Sequence, residues 1–71
     1  MIDTLLALAI IKEGRHDAVT LSREYNKRKG TTENWHRFGN LLDYAATLGL
    51  VKVVGHKDCG MTIYEFCHTG K

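Results

Sequence analysis

The chain has 71 residues, 44% hydrophobic and 25% charged, with a net charge of +2, no proline and two cysteines. A domain this small buries only about 60% of the surface its unfolded chain exposes, which disfavours a deep catalytic cleft and favours a binding module. The composition is too ordinary for disorder, and no apolar run nears the roughly 20 residues that span a bilayer. Two cysteines make no disulfide framework, so a reduced, cytoplasmic chain without membrane association is expected. Asp3 precedes the first basic residue, Lys12, so no signal peptide is read.

The first segment, residues 2–13, is apolar at Ile2, Leu5, Leu6, Leu8, Ala9, Ile10 and Ile11. Leucine and alanine favour helix, Asp3 suits its start and Gly14 its stop. Apolar residues cover most of the circumference, so the helix is expected to be covered on more than one side, either by the core alone or by the core and a second copy of the chain in a homodimer contact. A short connection follows, with Ala18-Val19 as a brief strand. Thr20 then caps a helix from Leu21 to Lys29 that Gly30 ends. Residues 33–48 carry the clearest periodicity: Trp35, Phe38, Leu41, Leu42, Ala45 and Leu48 form one stripe at helical spacing. Trp35 and Tyr25 are read as core rather than as stacking platforms for single strands. Gly49 is the expected left-handed terminus. Beyond it, residues 50–54 and 61–66 read as two strands joined by a glycine-bounded turn over 55–60, a β-hairpin. No linker or repeat interrupts the chain, and residues 1–71 read as one domain.

The positive charge is concentrated. Residues 15–37 hold six basic and three acidic residues, densest at Lys27-Arg28-Lys29. Such a cluster neutralises phosphates, and equally complements the C-terminal end of a helix dipole. His56-x-x-Cys59 and Cys67-His68 have zinc-ligand chemistry. A hairpin, however, separates Cys59 from Cys67 by roughly 25 Å at about 3.3 Å per residue, so neither a metal nor an internal disulfide is expected. No phosphate loop or His-Glu metal helix is present, and Cys67 and His68 point apart along a strand. No enzymatic activity and no cofactor are expected.

Helix, short connection, helix, tight turn, helix and hairpin is the element order of a winged helix-turn-helix, an α+β fold of three helices followed by a β-hairpin wing. The stretch LLDYAATLGLVKVV resembles the end of a winged-helix recognition helix running into its wing. TIYEFCHTGK resembles the closing strand of MarR-like and PadR-like regulators, with Tyr64 and Gly70 matching and Phe66 and Cys67 replacing leucine and threonine. The archaeal replication-initiator winged helix is a weaker likeness. The alanine usual in the first helix of the motif is missing near Glu24 and Tyr25, and the sequence ends where MarR-like proteins add a dimerisation helix.

The resemblance implies a transcriptional regulator that binds double-stranded DNA, with the helix over 33–48 in the major groove. Asn34 and Asn40 would then pair with adenine and Arg37 with guanine, and His36 would donate to a base or phosphate. Thr31 and Thr32 would hold backbone phosphates. Lys27, Arg28 and Lys29 would add sequence-independent attraction, and His56 and Lys57 at the wing tip would touch the minor groove or backbone. Glu33 and Asp43 oppose this, since carboxylates repel phosphate, and Glu33 is placed to pair with Arg37. The alternative is a winged helix that binds a protein partner, as an adaptor or a mobile-element-encoded inhibitor of a host complex.

Overall fold

Asp3 begins the first helix: its Oδ1 accepts from the N–H groups of Leu5 and Leu6. The computed structural model describes residues 2–67, so His68 and Gly70 of the readings above lie outside the described residues. Helix α1 runs Thr4–Ile11, shorter than the expected 2–13. It closes with tight bonds from Glu13 N–H to the Ile10 carbonyl and Gly14 N–H to the Ile11 carbonyl. Gly14 is not a left-handed stop; the chain instead turns directly into strand β1, Arg15–His16.

Helix α2 runs Ala18–Lys29. Its start lies three residues before the expected Leu21, because Asp17 rather than Thr20 is the cap. The Asp17 carboxylate accepts from Thr20 N–H at 2.7 Å, while the Thr20 hydroxyl accepts from Asp17 N–H at 3.0 Å. This reciprocal box satisfies two otherwise orphaned donors, and it draws Ala18-Val19, read as strand, into the helix. Gly30 ends α2 at φ +72°, a left-handed conformation that costs glycine nothing.

Helix α3 runs Trp35–Thr47, with Asn34 as its cap. Its end is a Schellman closure: Leu50 N–H donates to the Ala45 carbonyl and Gly49 N–H to that of Ala46, with Gly49 at φ +81°. Strand β2 is Val51–His56 and β3 is Thr62–Phe66. A bulge between Val53 and Gly55 carries Gly55 and His56 into the ladder, opposite Ile63 and Thr62. The turn is therefore shorter than the expected 55–60, and His56 ends a strand rather than forming the tip.

The sheet is antiparallel with order β1-β3-β2, so the short strand β1 flanks the hairpin through Arg15 opposite Glu65 and His16 opposite Tyr64. The fold is α+β, three helices and a small three-stranded antiparallel sheet. Among the described residues, no helix is long and apolar enough to cross a membrane.

The core unites Ala7, Ile10 and Ile11 of α1, Ala18, Leu21 and Tyr25 of α2, Phe38, Leu42 and Ala45 of α3, and Val51 of β2. Tyr25 and Phe38 meet with ring centroids 5.0 Å apart, and the Tyr25 hydroxyl accepts from Asp3 N–H at 2.7 Å. Of the expected stripe, Phe38, Leu42 and Ala45 are buried and Leu41 is half-buried. Trp35 is 40% exposed and Leu48 56%. They are the first and last turns of the helix, where it overhangs its neighbours, so the full stripe expected in the core is not covered.

Candidate functional site

Successive helical residues are rotated by about 100°, so burying Phe38, Leu42 and Ala45 turns His36, Asn40, Asp43 and Thr47 outward. All four are exposed, and so is Arg37 on the edge of the same flank. This polar flank begins where the turn from α2 is most firmly held. The Asn26 side chain clamps that turn: its Oδ1 accepts from the Thr31 hydroxyl at 2.8 Å and from Glu33 N–H at 2.9 Å, and its Nδ2 donates to the Glu33 carbonyl at 3.0 Å. Sequence reasoning passed over Asn26. An asparagine four residues before a helix-ending glycine was the available signal, but its partners lie beyond the turn.

Asn34 is exposed, and its Oδ1 accepts from His36 N–H at 2.8 Å. The cap thus uses one of the two groups that a paired bond to adenine needs. Asn40 sits mid-helix on the outward flank and is the better placed of the two. The Arg37 Nε lies 3.8 Å from Glu33 Oε1, the i, i+4 pair read from the sequence, with most of the Arg37 side chain in solvent. The His36 ring lies 3.8 Å from that of Trp35, centroid to centroid. Thr31 is half-buried under Asn26, while Thr32 is exposed.

The basic cluster is divided. Lys27 is exposed. Arg28 is held between two carboxylates, with Nε 2.7 Å from Glu24 Oε2 and Nη1 2.9 Å from Glu13 Oε2. The pairing holds the Glu13 carboxyl below its ordinary value and raises Arg28. Lys29 Nζ is 3.4 Å from Asp3 Oδ2. The Asp3 carboxyl is held low, first by the Leu6 N–H bond and then by Lys29.

Lys57 leaves the hairpin turn to pair with Asp17, its Nζ 2.5 Å from a fully buried Oδ2. Burial alone pushes the Asp17 carboxyl up. The Lys57 ammonium and the bond from Thr20 N–H outweigh it, so the group sits below its ordinary value. The hairpin tip is thus tied to the start of α2, and Lys57, expected as a free contact at the tip, is partly committed. Its neighbour His56 is exposed at the end of β2, and Cys59 is exposed in the turn.

A crevice of about 210 Å³ separates α3 from the hairpin, lined by Trp35, Gly39, Met61 and Tyr64 over a floor at Ala18. Burial, and then the nearby Asp43 carboxylate, push the Tyr64 hydroxyl above its ordinary value, so it stays a neutral donor at physiological pH. Among the described residues no three metal-ligating side chains converge. Compared with known protein families, curated proteins and solved structures, the chain matches none.

Proposed function

We propose that this chain is a small winged-helix protein that binds double-stranded DNA and acts as a transcriptional regulator, with α3 in the major groove. The observation that carries the reading is the outward flank of α3, where His36, Arg37 and Asn40 stand exposed on a helix whose other side is anchored in the core. The β1-β3-β2 order supports it, since a hairpin braced by a strand between α1 and α2 suits a wing. In this reading Asn40 pairs with adenine and Arg37, released from Glu33, with guanine. Thr32 and Lys27 contact phosphates, and His56 follows the backbone beside the wing.

One observation favours the protein-binding alternative. Arg28, Lys29 and Lys57, three of the cations a phosphate backbone would attract, are each paired with a carboxylate. Titrating random duplex DNA across a salt series separates the readings. DNA binding predicts an affinity that falls linearly on a log–log plot, with a slope of about −0.9 per phosphate neutralised. Amide shifts should be largest at residues 31–40, whereas no binding even at low salt favours a protein partner. Arg37→Ala with Asn40→Ala is expected to abolish preference among duplexes selected from a random pool while leaving the circular dichroism unchanged. Retained preference removes α3 from the reading role.

A further inference from the structure

Helix α1 is apolar round most of its circumference, and Leu6 and Leu8 pack against the core beside its buried residues, yet one apolar side stays open. Ala7, Ile10 and Ile11 point inward, while Leu5 and Ala9 face solvent, with Leu5 78% exposed. A helix of this kind is ordinarily covered all round. The open side continues across a cleft of about 240 Å³ onto the end of α3, lined by Leu8, Leu41, Tyr44, Ala45, Leu48 and Leu50. The Schellman closure at Gly49 sets Leu50 beside Ala45 and so builds the far wall of this cleft. Tyr44, Leu48 and Leu50 are 63%, 56% and 38% exposed.

We infer that this face is the contact of a two-fold homodimer, with α1 and the end of α3 of one copy against the same elements of the other. Three features point to a second copy. A two-fold contact must complement itself, and this face sets exposed Tyr44 in the wall of a cleft with room for a large side chain, with exposed Leu5 on the turn of α1 that supplies Thr4 and Leu8 to that cleft. None of the residues lining the cleft is charged, so filling it buries no ionised side chain of the lining.

The area also fits. Taking large apolar side chains at roughly 200 Å² each, the exposed parts of Leu5, Tyr44, Leu48 and Leu50 offer on the order of 450 Å². That is over half of the roughly 800 Å² each partner contributes to a stable interface, with Thr4, Ala9 and the rim to add. Buried area by itself does not set the affinity, so the test spans a wide range of concentration. The pairing does not rest on DNA binding; Arg37 and Tyr44 lie on nearly the same side of α3, about 20° apart, so the two contacts are separated along the helix axis rather than round it.

Sedimentation equilibrium on the whole chain tests this. Between about 5 and 500 µM the average mass should rise from 8.0 kDa towards twice that value. Leu5→Lys with Tyr44→Lys, both at exposed positions, should keep the circular dichroism and weaken association at least about thirtyfold. A wild-type chain that remains monomeric at the highest concentration overturns the inference, as does a folded double variant that pairs as tightly as wild type. Isotope-filtered NMR on a mixed-label wild-type sample guards against a variant that fails to fold. Contacts between copies at Leu5, Tyr44 and Leu48 support the inference, and contacts confined to any other face refute it.

Discussion

Asn26→Ala is the most informative single change, because Asn26 belongs neither to the core nor to the outward flank of α3. The substitution removes three side-chain bonds, those from the Thr31 hydroxyl and Glu33 N–H and that to the Glu33 carbonyl. A typical protein hydrogen bond contributes about 0.5–1.5 kcal/mol net. The site is half-buried, so water replaces part of what is lost, and a loss of about 2 kcal/mol is expected. In a domain of this length that lowers Tm by roughly 8–16 °C.

Asn26→Asp keeps an acceptor for Glu33 N–H and the Thr31 hydroxyl, but it loses the donor and sets an oxygen against the Glu33 carbonyl. It should therefore also destabilise. Urea unfolding gives the stabilities, and native-state hydrogen exchange locates the effect, with protection at the Glu33 amide falling more than at Leu42. An Asn26→Ala variant within about 0.5 kcal/mol of wild type, or with unchanged exchange at Glu33, would refute the clamp.

Two further outcomes are expected from stability measurements. The Asp17 carboxyl is held low in the folded state, so its contribution is present above its unfolded value, near pH 4, and is lost as pH falls through the folded one. The urea midpoint should drop on acidification below about pH 4, less steeply in Asp17→Asn, and Lys57→Gln should move that drop to higher pH while costing about 1–2 kcal/mol at pH 7. An acid limb identical in all three proteins would dismiss the Lys57–Asp17 tie. Gly49→Ala puts a side chain at φ +81° and should cost about 1–2 kcal/mol in thermal unfolding.

What was legible in the sequence follows the range of the interaction. Gly30 and Gly49 in left-handed conformations, the Asp3 cap, the stripe through Phe38, Leu42 and Ala45, and the period change after Gly49 all rest on neighbours within about one helical turn. The start of α2 was misplaced because two adequate caps, Asp17 and Thr20, stand three residues apart, and the reciprocal box selects the earlier. Trp35 has the spacing of a core residue, but spacing cannot say where the neighbouring elements stop, and they leave the first turn of α3 partly bare.

By itself the sequence determined three helices followed by a β-hairpin and which side of α3 is apolar, because propensity and periodicity are properties of contiguous residues. Only the tertiary structure decided that Arg28 lies between Glu13 and Glu24, that Lys57 reaches Asp17, that β1 pairs with β3, and that α1 and the end of α3 share an uncovered apolar face. Each is a meeting of segments, and it depends on how helices and strands stack once their greasy sides are buried together, an arrangement that no local window of residues contains.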